Sequence, residues 1–155
     1  MEVDVVKAVR AGVEPSFVRR ILSGASKVPE LAARMPEGRS SVAVRITSAE
    51  DLRQFNRTYA RKDHTTDVLS FTGEGSHVGD LAISWPAVLE QAGQQGHNPK
   101  VELSILLVHG LLHLLGWDHR TRAEAAEMWR LTWLALGTHG AGYTPVRGLR
   151  RSPRA

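Results

Sequence analysis

The stretch from residue 104 to residue 115 constrains the fold of this chain most, because it is strongly apolar and yet contains two histidines. Leucine, isoleucine and valine fill most of its positions. It is shorter than the roughly 20 apolar residues that cross a bilayer, so it predicts a helix of the protein interior. Since burying an imidazole without a partner costs free energy, we expect His109 and His113 to have a partner within that core.

The spacing of the histidines predicts a metal site. His109 and His113 are four residues apart, which places their side chains on one face of a helix. Gly116 can adopt the left-handed conformation that ends a helix, and the returning chain can then bring His119 to the same point. Three neutral imidazoles suit one zinc ion with water in an open fourth position, as in catalytic sites. Nickel and copper also accept such ligands.

The same spacing matches the pattern H-E-x-x-H-x-x-G-x-x-H of the metzincin zinc proteases, with one decisive difference. The glutamate that acts as general base in those proteases is replaced by Gly110. A peptidase of that mechanism is therefore disfavoured. Asp118 has two interpretations that stay open at this point: it orients a ligand imidazole, or it shapes the turn.

Hydrophobic periodicity predicts an α+β fold in which one sheet carries helices. We expect strands at residues 2–6, 42–46, 67–72 and 78–84, and helices after Pro15, from Ser48 to about Tyr59, from Ser84 to about residue 95, at 99–115 and at 121–136. Ser48 and Ser84 are the expected N-caps of their helices. Trp129 and Trp133 are expected in the core, whereas His77, His97 and His139 are expected to be ordinary surface residues.

Composition narrows the possible functions. The chain of 155 residues has no cysteine, which excludes disulfides, thiolate metal sites and cysteine nucleophiles. Its net charge of +4 comes from four arginines within residues 147–155, which leaves 16 basic and 16 acidic residues before them. We therefore expect one domain at residues 1–140 and a basic tail at 141–155. The tail is either a disordered terminus or an arm that binds polyanions.

Other features concern location and partners. The first residues carry acids and lack a long apolar run, so we expect a cytoplasmic protein without a signal peptide and without a membrane partner. Only 9 of the 155 residues are aromatic, which disfavours a platform for stacking bases.

Three segments resemble the signatures of the YbeY family, bacterial metal-dependent endoribonucleases that act in ribosomal RNA maturation. The segment HGLLHLLGWDH at 109–119 resembles its histidine motif, and NRTYARKDHTTDVLSF at 56–71 resembles N-x-x-Y-R-x-K-D-x-P-T-D-V-L-S-F. VGDLAIS at 78–84 resembles L-G-D-I-x-I-S. The resemblance covers residues 55–119 in the expected order.

The resemblance implies both a fold and a function. The implied fold is a single small α+β domain in which a mixed four-stranded sheet packs with about five helices, with a metzincin-like histidine site on a helix and the following turn. The implied function is zinc-dependent cleavage of single-stranded RNA in 3′-end maturation of 16S ribosomal RNA and in ribosome quality control. One zinc ion is expected on His109, His113, His119 and water, and proteins of the small ribosomal subunit are further candidate partners.

Two positions depart from the family pattern. The arginine that follows the tyrosine in the family, and contributes to activity, corresponds to Ala60, and the proline corresponds to Thr65. Arg61 stands one place later. We expect it to replace the family arginine as the catalytic residue if the loop shifts by one position.

A row of basic side chains leads toward that loop. The candidate substrate-binding residues are Arg53, Arg57, Lys62 and His64. Together with Arg61 they form either a row that tracks RNA phosphates or an ordinary solvated helix face, on which Glu50 pairs with Arg53.

The sequence leaves the nucleophile of the reaction open: it is either water or a ribose 2′-hydroxyl. Two alternative functions remain: a non-enzymatic ribosome assembly factor with a structural metal, and a zinc peptidase without its usual base.

Overall fold

Four strands form one mixed sheet, as the resemblance to the YbeY family implies. They are β1 (Glu2–Lys7), β2 (Ser41–Thr47), β3 (Val68–Thr72) and β4 (His77–Ser84), in the spatial order β1-β2-β4-β3. The pairs β1–β2 and β2–β4 are parallel, whereas β3 runs antiparallel to β4. This order places β1 and β3 at the edges of the sheet, and a short connection joins the antiparallel pair.

The computed structural model describes residues 1–60 and 67–138, and these contain six α-helices and one π-helical turn. The helices are α1 (Pro15–Ala25), α2 (Pro29–Ala32), α3 (Ala49–Phe55), α4 (Trp85–Gln95), α5 (Pro99–Leu114) and α6 (Arg122–Thr138), and the π turn spans Asn56–Ala60. The α+β fold is as predicted. Arg61, Lys62, His64, His139 and the expected tail at 141–155 lie outside the described residues.

Two local details differ from the prediction. The helix expected from Ser48 to about Tyr59 changes from α to π at Asn56, and α2 adds a helix to the expected five. A single turn such as α2 is too short to show helical periodicity. Short helices are stabilised by tertiary packing more than by their own propensity, and Leu31 of α2 is fully buried.

Helices α3 and α4 begin at their predicted N-caps, and α5 begins in the same way. The side-chain oxygens of Ser48, Ser84 and Asn98 accept hydrogen bonds from the backbone amides of Asp51, Ala87 and Lys100 at 3.1, 3.2 and 2.9 Å. Each bond satisfies an amide that the first turn of a helix leaves free. Within residues 1–60 and 67–138, no helix combines the length and the apolar character that crossing a membrane requires.

The sheet separates α5 from α3. Successive residues of a strand point to opposite faces, so Leu81 and Ala82 of β4 contact different helices. Leu81 meets α5 at Gly110, whereas Ala82 packs with Leu52 of α3. The large apolar cluster lies on the α5 side, together with α1 and α6. Helix α5, which carries His109 and His113, and helix α3, which carries Arg53, therefore occupy opposite faces of one sheet.

A carboxylate fixes α3 to strand β2. Asp51 Oδ2 accepts hydrogen bonds from the hydroxyl of Thr47 at 2.7 Å and from Arg45 Nη2 at 3.2 Å. These contacts, the Thr47 bond first, hold the pKa of Asp51 below the ordinary value for an aspartate. The start of α3 is thus attached to the strand that precedes it.

Candidate metal centre

Helix α5 is buried on almost all sides, as the apolar run predicts. Its residues from Glu102 to Leu112 are all buried, and Ser70 of β3 donates a hydrogen bond to the carbonyl of Gly110 at 3.3 Å. A Cβ atom on Gly110 would lie 2.7 Å from Leu81 Cδ2, so the missing side chain lets the helix lie close against β4. The position of the protease base therefore faces the packed sheet, which further disfavours a peptidase.

The three predicted ligands lie together at the end of α5. His109 Nε2 and His113 Nε2 are 3.0 Å apart, and the potential ligand atoms of His109, His113 and His119 all lie within 4.8 Å of one another. His109 is only 5% exposed, and the other two rings are partly buried. The histidine spacing thus produces a convergent set of nitrogen atoms, which is the arrangement that one metal ion requires.

The orientation of His113 is set by a backbone group. His113 Nδ1 lies 3.0 Å from the carbonyl oxygen of Trp117. A carbonyl can only accept, so Nδ1 carries the proton and donates it. In the neutral ring this leaves the lone pair on Nε2, the atom that faces His109. The turn thereby holds His113 in the tautomer that binds a metal.

His119 supplies an observation that favours a bound ion. Its Nε2 atom is buried and has no hydrogen-bond partner among the residues that the structure describes. A buried polar atom without a partner is unfavourable, and a cation in contact with it removes that cost. A set of three imidazoles has the chemistry that Zn²⁺, Ni²⁺ and Cu²⁺ accept. The residues present therefore fit a transition-metal ion.

The turn between α5 and His119 depends on glycine and on an aspartate. Gly116 has a φ of +101°, in the region that disfavours other residues. Asp118 Oδ1 accepts a hydrogen bond from the amide of His119 at 2.8 Å, and this bond lowers the pKa of Asp118. Of its two interpretations, the structure supports the one in which Asp118 shapes the turn. The carbonyl of Trp117 is the acceptor that orients His113, a candidate ligand. No sequence pattern distinguishes this carbonyl from the others.

The predicted substrate residues within the described part lie apart from the histidines. Arg53 on α3 and Arg57 on the π turn are exposed. Since α3 packs on the face of the sheet opposite α5, the structure does not bring them into the histidine cluster. Among the described residues no ion pair joins Glu50 to Arg53. Glu50 and Arg57 both line a surface depression of about 410 Å³.

An aromatic groove beside α3 was missed from the sequence. The groove has a volume of about 420 Å³ and lies on the face of the sheet that packs with α3. It is lined in part by Phe55, Tyr59 and Phe71. The Tyr59 ring lies 5.8 Å from Phe71 in an edge-to-face arrangement, and Tyr59 is 67% exposed. The spacing of Phe55 and Tyr59, four residues apart in one helical segment, was the available signal.

His97 corrects a prediction. It was expected to be an ordinary surface residue, but its side chain is only 6% exposed. Its Nε2 atom lies 3.1 Å from Oε2 of Glu102, which is fully buried in the first turns of α5. Glu102 is close to His97 in sequence, but it lies in α5, whereas His97 lies in the loop before that helix. Packing of this loop against α5 brings the two side chains together. His77 is, by contrast, partly exposed on β4 as expected.

Comparison with known proteins decides the family. The model of the family described as Endoribonuclease YbeY matches residues 13–137, which is most of the chain. The chain belongs to the YbeY family. The three signature segments that suggested this family all lie inside the matched range.

Relatives in the YbeY family are similar over most of their length. A protein from Roseiflexus castenholzii is 35% identical over 152 residues, covering 90% of this chain and 92% of the relative. One from Bacillus cereus is 38% identical over 141 residues, covering 82% and 87%. One from Chloroflexus aurantiacus is 46% identical over 110 residues, covering 63% and 71%. All three relatives bear the name Endoribonuclease YbeY.

A solved structure supports the fold. The solution structure of a Thermotoga maritima protein superposes with a TM-score of 0.58 and covers 96% of this chain and 99% of its own. At 18% sequence identity, this likeness concerns the architecture alone.

Proposed function

We propose that this chain is a metal-dependent endoribonuclease that cleaves single-stranded RNA. The observation that carries the proposal is the convergence of three imidazoles, including the buried Nε2 of His119, which has no hydrogen-bond partner within residues 1–60 and 67–138. The name that its relatives bear supports RNA as the substrate. We further propose a role in the cytoplasm: maturation of the 3′ end of 16S ribosomal RNA and ribosome quality control, in contact with proteins of the small subunit.

We assign His109, His113 and His119 as the ligands of one zinc ion. When bound, such an ion supplies Lewis acidity, which polarises phosphoryl oxygens and lowers the pKa of a coordinated water. The chain contributes the positions of the ligands. The carbonyl of Trp117 orients His113, the buried surroundings of α5 limit access of water to His109, and the Asp118 bond fixes the backbone that carries His119.

The basic row is proposed to hold the RNA backbone. Arg53 and Arg57 would pair with phosphates, Lys62 and His64 would extend this contact, and Arg61 would neutralise charge on the phosphoryl group that reacts. Since α3 and α5 lie on opposite faces of the sheet, the RNA strand would have to pass the edge formed by β3. A flexible single strand can follow such a path, whereas a stiff duplex cannot.

The contribution of the row can be measured separately from the chemistry. In the double variant Arg53→Gln/Arg57→Gln, we expect KM for single-stranded RNA to rise about tenfold, with kcat retained, because only remote phosphate contacts are lost. The slope of log affinity against log salt concentration should fall by roughly 1.4, since each phosphate contact to a single strand contributes roughly 0.7. The matched control is Arg20→Gln/Arg39→Gln, which removes two exposed arginines outside α3 and the π turn. An unchanged KM and salt slope would contradict the assignment.

The proposed activity is tested by removing and restoring the metal. We expect highly purified protein to cleave single-stranded RNA, to lose cleavage after exhaustive chelation, and to regain it with one equivalent of zinc. The ends of the products identify the nucleophile: a 2′,3′-cyclic phosphate indicates the ribose hydroxyl, and a 5′-phosphate indicates water.

Two outcomes of this test would reject the proposal. Cleavage that persists in protein shown to be free of metal would exclude metal dependence. RNA binding without cleavage at any zinc concentration would favour the assembly-factor alternative, in which the metal is structural.

A further inference from the structure

Arg34 links a distant part of the chain to the turn that follows α5. It lies just after α2, 81 positions before Leu115, yet its Nη1 atom donates a hydrogen bond to the carbonyl of Leu115 at 3.3 Å. Its guanidinium carbon also lies 3.6 Å from the centre of the Trp117 ring. The planar cation thus stacks on the indole while it donates to the carbonyl of the C-cap residue that follows α5.

The two contacts lie on either side of Gly116. The glycine adopts a φ of +101°, and a Cβ atom at this position would lie 3.5 Å from Arg34 Nη1. Because glycine has the largest conformational freedom, a turn centred on it is held by the groups around it. Backbone hydrogen bonds supply part of this restraint: the amides of Gly116 and Trp117 donate to the carbonyls of His113 and Leu112, both at 3.0 Å.

The backbone bonds engage the amide of Trp117 but leave its ring and carbonyl to other contacts. The ring is held by Arg34, and the carbonyl accepts from Nδ1 of His113 at 3.0 Å. A rotation of the Trp117 peptide would break the bond to His113 and release its imidazole. Arg34 opposes that rotation, because it fixes the Trp117 side chain and the preceding carbonyl of Leu115 at once.

We propose that Arg34 is a positioning residue for the metal centre. By clamping the Leu115–Trp117 turn, it keeps the carbonyl of Trp117 on Nδ1 of His113 and so keeps Nε2 available as a ligand. The proposal rests on the assignment of the three histidines as metal ligands. Arg34 acts on His113 through Trp117.

Zinc affinity is the first readout. For Arg34→Ala we expect zinc to bind about three- to tenfold more weakly, a smaller change than removal of a direct hydrogen-bond partner of a ligand causes. The measurement is a competition titration with a chromogenic chelator. Arg34→Lys should recover only part of the loss, because a lysine keeps the charge but cannot stack and donate in one plane. Arg20→Ala is the matched control, since Arg20 makes a similar contact with Phe17, at 5.3 Å, on α1.

The tautomer of His113 is the second readout, and it needs no metal. Nitrogen-15 spectra of the imidazole groups in metal-free protein should show His113 protonated at Nδ1 in the parent and in Arg20→Ala. In Arg34→Ala, the population protonated at Nε2 should increase. A general loss of stability would not produce this change, so circular dichroism and urea unfolding of the same samples complete the comparison.

The two readouts together decide the proposal. Weaker zinc binding with a shifted His113 tautomer supports it. Zinc affinity within twofold of the parent, or weaker affinity with an unchanged tautomer, overturns it. A parent protein that does not bind zinc would reject the proposed metal centre, and the tautomer measurement would still decide whether Arg34 positions His113.

Discussion

Replacing His113 with alanine is expected to abolish zinc binding and RNA cleavage together while the fold is retained. The variant removes one of three convergent nitrogen atoms, and two imidazoles hold zinc much more weakly than three. We expect the loss of zinc affinity to exceed the roughly 10- to 100-fold effect of removing an outer partner of a ligand. Cleavage should fall at least about a thousandfold, because the proposed ion would supply most of the stabilisation of developing charge.

The fold should survive because His113 is only partly buried and lies near the end of α5. Bound zinc, cleavage of single-stranded RNA and the circular dichroism spectrum are to be measured on the same preparation. His77→Ala is the matched control, since His77 lies on β4 and bonds to Ser41 and Asp80. Cleavage by His113→Ala at the parental rate would mean that the activity belongs to a contaminating nuclease and would remove the basis for the enzyme proposal.

Replacing Glu102 with alanine is expected to destabilise the protein by about 1–3 kcal/mol, the cost of leaving a buried polar group without its hydrogen-bond partner. Glu102 is fully buried, and its carboxylate lies 3.1 Å from Nε2 of His97, whose side chain is 6% exposed. The variant removes the carboxylate from a buried site and deprives Nε2 of His97 of this hydrogen bond. The free energy of unfolding in urea at neutral pH measures the loss.

Two further variants make this test specific. Glu102→Gln keeps a hydrogen-bonding group of nearly the same volume and should lose less than half as much stability as Glu102→Ala. Glu90→Ala, on the exposed side of α4, should change stability by no more than about 0.5 kcal/mol. A loss below about 1 kcal/mol for Glu102→Ala would show that the pair contributes little to holding α5 in place.

Local features of the sequence predicted most of the elements. Serine and proline at helix starts act within one turn, so Ser48 and Ser84 identified their helices without knowledge of the rest of the fold. The alternation in β2 likewise depends only on which side chains share a face. The π turn at Asn56–Ala60 and the single turn α2 were missed because neither has a characteristic pattern of its own.

In the candidate site, too, some residues were predicted from local sequence and others were found only in the structure. The spacing of His109 and His113 within one helix predicts their approach, and Gly116 predicts the return of the chain toward His119. The acceptor that orients His113 is a backbone carbonyl, which every residue possesses, so its selection needed coordinates. The burial of His97 against Glu102 was also missed, because an isolated histidine carries no sign of its partner.

By itself, the sequence determined the four strands, five of the six described α-helices, the three histidines and membership of the YbeY family, since these depend on contacts or motifs within short stretches. Only the tertiary structure decided which groups surround them. It placed α3 and α5 on opposite faces of the sheet and brought Arg34 to Trp117. The reason is physical: periodicity specifies which face of an element is buried, whereas the partner across that face is selected by packing of the whole chain.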